Sequence, residues 1–363
     1  MCHRDKKDRP GPQSRREAIL VTHSNVWHAR GTSRGTAGLL AALAIACAPA
    51  PTRAADAGFE TWLAELREEA IERGLQPATV MAALGNVTLV DEVVRLDGQQ
   101  PHKARDFCGY MKRRLTPTRI ERARRVMISH ADLLNEITAE YGVPARYLVA
   151  LWGLETNYGD YVGTFPVIDS LVTLAHNPRR SEMFRAQVFD ALRILEEGHV
   201  QPADFVGSWA GATGQLQFMP STFLAFAVDH DGDGRKDIWA NEADALATAA
   251  NYLRKSGWRG GETWGRQVTL PANLAAGEAA LGARSPLVEW QARGVRRIGG
   301  GDLPLSDLRG SIVRPRRATD PSFLVYRNYR AFLAWNRSTF FAISVGTLAD
   351  AVTGAASLQA CDS

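Results

Sequence analysis

Cysteine and histidine are scarce in this chain, at four and eight of 363 residues. No two cysteines stand in a CxxC spacing and no histidines in HxxxH or HExxH, so a zinc site of the common kinds is not expected. Four cysteines are also too few for a disulfide scaffold. Long apolar runs are missing: residues 38–50 (GLLAALAIACAPA) fall short of the about 20 residues that a membrane-spanning helix needs. Charge of one sign is not concentrated in the body of the chain. Residues 1–54 carry nine of the 43 Lys/Arg and three of the 39 Asp/Glu, which leaves 34 basic against 36 acidic residues elsewhere. So balanced a body has no footprint for nucleic acid. Nucleotide and organic-cofactor motifs are absent as well. With 45% apolar and 23% charged residues, the composition is that of a globular protein of one elaborate domain or two.

What is present begins with an address. Arg30 and Arg34 precede the apolar stretch, and Thr52-Arg53-Ala54 offers small residues at the two positions that a signal peptidase reads. Residues 1–54 are therefore expected to be an export signal and leader, with the rest of the chain in the periplasm. Ser14-Arg15-Arg16 is similar to a twin-arginine signal. Ala44-Ile45-Ala46-Cys47 is an imperfect lipoprotein cleavage box, in which Cys47 would carry an outer-membrane lipid anchor; the alternative is a stray cysteine in an ordinary signal. Loss or lipidation of Cys2 and Cys47 leaves Cys108 and Cys361, a number compatible with one disulfide in an oxidising compartment.

Hydrophobic periodicity organises the remainder, 55–363, expected to be one catalytic domain with a helical part at about 55–260. Over residues 59–84, Phe59, Trp62, Leu63, Leu66 and Ile71 recur at helical spacing. A second helix is expected over 117–141, with Pro117 near its start and Gly142 just past its end. A third begins at Pro144 and ends before Tyr158-Gly159. It is apolar nearly all round, so it should be buried. Further helices are expected at 182–197, 220–227, 243–256 and 339–351. Between Trp264 and Trp335 the short apolar runs 267–270, 287–291, 323–326 and 331–335 are separated by Gly, Pro and Asp. They read as a small β-rich part at about 262–335, with a hairpin turning at Arg327-Asn328. Residues 274–284 read as a loop or poor helix.

Three segments carry chemistry. Glu155 sits at the C-terminal end of the most apolar helix, where desolvation and the helix dipole both disfavour its ionised form. A carboxyl still protonated near neutral pH is what general-acid catalysis requires; the alternative is a structural acid paired with an arginine. The second segment, Ser208 to Phe223, combines small residues with Gln217, which suits recognition of sugar hydroxyl and acetamido groups or simply a tight structural loop. In the third, Asp229, Asp231 and Asp233 at loop positions one, three and five with Gly234 at six match the start of an EF-hand loop. Position twelve is Ala240, so Glu242 or Asp244 completes a calcium shell, or the segment is an Asp-Gly-rich turn without metal.

Together these segments resemble the lytic murein transglycosylase B family, soluble or lipid-anchored. The resemblance runs through Gly153-Leu154-Glu155-Thr156-Asn157-Tyr158-Gly159, the Ala210 to Pro220 loop and the calcium-like loop. It takes in Tyr141-Gly142-Val143-Pro144, Asn251-Tyr252-Leu253 and Gly257-Trp258, covering roughly residues 59–348. It implies a mainly α (α+β) fold: a lysozyme-like helical core with an N-terminal helical subdomain and a small β-containing subdomain. It implies an enzyme that cleaves the β-1,4 bond between N-acetylmuramic acid and N-acetylglucosamine of peptidoglycan without water. Glu155 matches the catalytic acid/base, Ser208 a serine that orients the muramyl acetamido group, and Gln217 a groove glutamine. Tyr110 and Tyr252 match tyrosines lining the site, and Asn336 matches an active-site asparagine. Asp229, Asp231, Asp233 and Asp244 match calcium ligands, with Arg235 contributing its carbonyl; calcium would be structural, and no cofactor is required.

Trp335 and Phe341 depart from the pattern, standing where some members have tyrosine, which removes hydroxyls but keeps stacking area. Glycosidases ordinarily flank the bond with two carboxylates, and no second one stands in a matching segment. Glu155 alone would protonate the glycosidic oxygen and then deprotonate the muramyl C6 hydroxyl, giving a 1,6-anhydro product. A muramidase-type hydrolase on the same core and a non-catalytic peptidoglycan-binding scaffold are the alternatives. The protein is expected to act as a monomer on glycan strands.

Overall fold

The computed structural model describes residues 53–99, 106–274, 277, 279–317, 319–355 and 361. The apolar stretch, the twin-arginine-like segment and Cys47 lie outside the described residues. The helices α1 (Arg53–Glu72), α2 (Pro77–Leu84) and α3 (Asp91–Gly98) come first, then α4 (Phe107–Arg114), α5 (Pro117–Ser129), α6 (Ala131–Tyr141) and α7 (Ala145–Glu155). A two-residue strand pair, β1 (Phe165–Pro166) with β2 (Val206–Gly207), brackets α8 (Val167–His176) and α9 (Ser181–Glu196). After α10 (Pro220–Phe226) and α11 (Glu242–Lys255) come β3 (Gly265–Thr269), β4 (Arg284–Pro286), α12 (Leu287–Ala292), β5 (Arg296–Arg297), β6 (Arg309–Val313) and β7 (Ser322–Val325). The chain closes with α13 (Arg327–Trp335) and α14 (Thr339–Val352).

The core is helical, as expected, and α7 is its axis. Every residue from Tyr147 to Glu155 is buried, and the helix is packed among α5, α6, α11 and α14. The five-stranded antiparallel sheet, in the order β4-β6-β7-β3-β5, lies against this core. Alternation along β7 divides its side chains between two apolar clusters: Phe323 and Val325 join the main core, while Leu324 joins Val268, Leu287, Trp290 and Ile312 on the other face.

Several boundaries differ from the periodicity reading. The 59–84 segment is two helices, because the chain turns through Gly74 at φ 87°; Ile71, placed on the buried stripe, is exposed. The 117–141 segment is also two helices, broken at His130 (φ −113°, ψ 23°). There the imidazole Nε2 lies 2.7 Å from Glu242 Oε2 and the ring meets Trp152 edge-on at 5.6 Å. Tertiary contact overrides local propensity at this residue.

Two runs taken for strands, 287–291 and 331–335, are helical instead, since a short apolar run does not distinguish the two states. Arg327-Asn328 is the start of α13 and not a hairpin turn. Asn328 is fully buried: its Nδ2 donates to the carbonyls of Arg259 (2.8 Å) and Glu262 (2.7 Å), and its Oδ1 accepts from Arg259 N (2.7 Å). A residue type that favours turns here holds a helix to the segment before the sheet.

Cys108 in α4 and Cys361 are joined by a disulfide across a sequence separation of 253. Closing so large a loop restricts the unfolded chain, which stabilises the fold by about 2–4 kcal/mol. The Cys108→Ser, Cys361→Ser double variant is therefore expected to unfold at lower temperature by circular dichroism. An unchanged midpoint would show that the bond constrains nothing the fold lacks.

Candidate active site

Glu155 is the last residue of α7 and is only 3% exposed. Its Oε1 accepts a hydrogen bond from the indole Nε1 of Trp335 at 2.9 Å. Trp335 ends α13 and is held among rings, with Phe218 at 4.9 Å and Tyr252 at 5.1 Å between centroids. Tyr252 Oη donates to the carbonyl of Ala334 (2.6 Å), fixing the turn that presents the indole. The carboxyl therefore lies under aromatic surface supplied by α11, α13 and the loop before α10.

Directly after Glu155 the backbone turns sharply. Asn157, Tyr158 and Gly159 lie in the left-handed region at φ 56°, 64° and 82°. Two consecutive non-glycine residues there are strained, on the order of 1 kcal/mol each. Thr156 holds the turn from inside: its Oγ1 donates to the Gln215 carbonyl (2.6 Å) and accepts from Gly159 N (3.0 Å). Asn157 Nδ2 donates to Asp160 Oδ2 at 2.8 Å, and Asp160 pairs with Arg122 of α5. The turn folds Tyr158 back onto α7, where a Cβ at Gly153 would come within 2.6 Å of the phenol Cζ. Burial pushes the Tyr158 hydroxyl up to about 12, so it is neutral at working pH.

The Ser208 to Pro220 segment is an irregular ribbon. Thr213 and Phe218 exchange backbone hydrogen bonds, each at 2.9 Å, around the tight loop 214–217. Within it Gln217 has φ 54°, and its Nε2 donates to the carbonyls of Val162 (2.8 Å) and Gly214 (3.2 Å). With the amide N–H groups engaged, Oε1 is the part of this side chain left to accept from a ligand. Ser208 Oγ accepts from Ala212 N at 3.1 Å, which leaves its own O–H to donate. Asn336 follows Trp335; its Oδ1 accepts from Ser338 N at 3.0 Å, and its Nδ2 keeps its donors.

Tyr110 is placed differently. On α4 it packs edge-on against Phe340 of α14 at 5.4 Å, and its ring does not join the Phe218, Tyr252 and Trp335 group. Phe341 is buried in α14.

In the acidic loop, carboxylate oxygens of Asp229, Asp231 and Asp244 converge within 4.8 Å of one another. Asp244 supplies the distant acid, while Glu242 turns away to His130. Asp233 Oδ1 accepts from Arg235 N at 2.7 Å, and Arg235 Nη2 donates to the His199 carbonyl at 3.1 Å. Asp244 is fully buried and accepts from His230 N and Asp237 N, both at 2.7 Å. Burial pushes its carboxyl above the usual range; the two N–H groups oppose this, and the nearby Asp231 and Asp229 charges add to it. Three mutually repelling hard-oxygen donors are a set that fits calcium.

The sequence reading missed the role of Trp335, which it took for stacking area only. The available signal was the adjacency of Trp335 to Asn336, with an indole that keeps a donor where tyrosine would have had one. The Thr156–Gln215 clasp left no signal, because it joins residues 59 positions apart.

A mainly helical domain that buries one carboxyl at a helix end under aromatic rings, beside a tight loop and an acidic turn, has the layout of a lysozyme-like domain. A family model described as Transglycosylase SLT domain matches residues 58–350, and the chain belongs to that family. Over 295 residues it is 29% identical to membrane-bound lytic murein transglycosylase B of Escherichia coli (strain K12), spanning 77% of this chain and 79% of that protein. Among solved structures, SltB3 of Pseudomonas aeruginosa in complex with NAG-NAM-pentapeptide is 43% identical with a TM-score of 0.79, covering 82% of this chain and 80% of that one. SltB3 has also been solved with NAG-anhNAM-pentapeptide. The Escherichia coli lytic transglycosylase Slt35 in complex with calcium is 27% identical with a TM-score of 0.67, covering 80% of this chain and 92% of that one.

The packing of Tyr158 on Gly153 gives a direct check. Gly153→Ala forces a methyl group into a filled space, a change that costs about 1–3 kcal/mol. A lowered unfolding midpoint by circular dichroism is expected; an unchanged one would mean that Tyr158 does not lie on α7.

Proposed function

We infer that this chain is a peptidoglycan lytic transglycosylase and that Glu155 is its single acid/base. The observation that carries the assignment of Glu155 is a carboxyl buried at the end of α7 with an indole N–H on one oxygen. In the proposed reaction Glu155 approaches the glycosidic oxygen as an acid and protonates it. The leaving sugar departs while the substrate's own acetamido carbonyl stabilises C1. As carboxylate, Glu155 then takes the proton of the muramyl C6 hydroxyl, whose oxygen bonds to C1. Proton and oxygen both come from the substrate, and the 1,6-anhydro ring closes with no water consumed.

The neighbours fit supporting roles. The Ser208 O–H orients the acetamido group, Gln217 Oε1 accepts from sugar N–H or O–H, and Asn336 Nδ2 donates. Tyr252 lines the site as aromatic surface, whereas Tyr110, packed against Phe340, stands apart from that group of rings. The rings of Phe218, Tyr252 and Trp335 keep water from the reacting bond, which favours ring closure over hydrolysis. The ligand of the SltB3 complex, NAG-anhNAM-pentapeptide, supports this product chemistry.

Calcium fits Asp229, Asp231 and Asp244 as a structural clip on the loop that leads into α11, with Asp233 and the Arg235 carbonyl as further oxygen donors of the same loop. The bound ion would offset the repulsion among these carboxylates, and it takes no part in the chemistry. An exported, periplasmic protein fits a substrate in the cell wall and the Cys108–Cys361 disulfide. No helix among the described residues is long and apolar enough to cross a membrane. A lipid at Cys47 would supply attachment to the outer membrane.

Purified residues 55–363 and a Glu155→Gln version, incubated separately with isolated peptidoglycan, test the chemistry by mass spectrometry. Anhydromuropeptides are expected from the first, with a rate about 10²–10⁴-fold lower from the second. Retained wall binding without product from either would make this a scaffold.

For the acidic loop, calcium at 100 times its Kd should stabilise the fold by about 2.7 kcal/mol. Asp231→Asn, at an exposed position, should abolish that increment in thermal unfolding. A calcium response unaltered by Asp231→Asn would place the ion elsewhere.

A further inference from the structure

We infer that Trp335 is the positioning residue of the acid/base and that its indole N–H assigns the catalytic proton to Oε2 of Glu155. The inference rests on the proposed role of Glu155. An indole nitrogen donates and never accepts. Its bond to Oε1, at 2.9 Å, therefore selects the carboxyl state in which Oε1 is the acceptor. In a neutral carboxyl group the carbonyl oxygen is the better acceptor and the hydroxyl oxygen holds the hydrogen. Oε1 is thus the carbonyl oxygen, and the proton given to the glycosidic oxygen leaves from Oε2.

The same contact strengthens during the reaction. Once the proton has left, the N–H faces a carboxylate, and a hydrogen bond to an ionised acceptor is roughly twice as strong as a neutral one. An interaction that gains strength as charge develops lowers the barrier and not the ground state. A tyrosine hydroxyl in this place would both donate and accept. It would leave the proton free to sit on either oxygen, whereas tryptophan removes that freedom.

Two residues fix the direction of the indole. Phe218 stands against the ring at 4.9 Å and is tied to Thr213 by paired backbone bonds. Tyr252 meets it at 5.1 Å and donates to the preceding carbonyl, that of Ala334. In this chain Tyr252 therefore acts on Glu155 through Trp335, in addition to any surface it offers to sugar.

Trp335→Phe keeps most of the ring area and deletes the N–H, and Trp335→Tyr returns a donor. With peptidoglycan as substrate, kcat of Trp335→Phe should fall about 10–100-fold with KM within about twofold, and Trp335→Tyr should recover part of the loss. An independent readout uses the nitrogen-15 labelled protein. The indole signal lost in Trp335→Phe identifies Trp335, and Glu155→Gln should shift that signal most among the eight tryptophans of residues 55–363. A raised KM with unchanged kcat would make Trp335 a sugar-lining residue only. An indole signal indifferent to Glu155→Gln would remove the contact altogether, even where Trp335→Phe fails to fold. Absence of anhydro product from the wild-type enzyme would instead defeat the functional reading and leave the indole experiment to judge the contact.

Discussion

A carboxyl group at the C-terminal end of a buried helix is opposed twice, by loss of water and by the partial negative charge of the helix end. Glu155 is held in that position all the same, and much of the surrounding structure serves to keep it there. The helix that carries it is apolar on every side because it runs through the middle of the domain, packed among α5, α6, α11 and α14. The strained turn after it redirects the chain directly behind the buried carboxyl. Thr156, Gly159 and Gln215 tie this turn to the Ser208 to Pro220 ribbon. The ribbon in turn supplies Phe218, which helps to fix Trp335, and Trp335 returns a hydrogen bond to the carboxyl. The chain of contacts closes on itself.

The parts farther away act as braces for this loop of contacts. The sheet and α14 meet at Trp264, whose Nε1 donates to Asp350 at 2.9 Å; burial raises the proton affinity of the Asp350 carboxyl. Asn328 anchors the start of α13, the helix that ends in Trp335. Asp244 in the first turn of α11 links the acidic loop to the helix that bears Tyr252. An ion bound at that loop would act on the site only through the placement of α11.

Much of this was legible in the residues. α7 announced itself by its apolar character, α9, α10, α11 and α14 by their period, and the three chemical segments by composition and spacing. Ends of elements were less legible: Gly74 ends α1 by a local left-handed turn that the period alone passes over, and His130 breaks a helix for a tertiary reason that no window of neighbours contains. The residues 287–291 and 331–335 show the same limit. Whether a five-residue apolar run coils or extends depends on what it packs against, here the small cluster around Trp290 and the main core around Phe332. Around the proposed site, Glu155 and Gln217 were singled out by residue type and place in their segments, and Asn336 only by the resemblance to the family. The Trp335 hydrogen bond was not, since it joins positions 180 apart. Among the acidic residues, the sequence named Asp229 and Asp231 with either Glu242 or Asp244, and the fold decides for Asp244, since Glu242 is engaged by His130.

The central claim is that the buried carboxyl works on a bond from which water is kept, so that the substrate's own C6 oxygen closes on C1. The most direct measurement is digestion of peptidoglycan in water enriched in oxygen-18, with mass spectrometry of the muramyl ends. The account predicts 1,6-anhydro ends with no label. Reducing ends carrying one oxygen-18 would contradict it, for they would show that solvent water reaches C1 beside Glu155.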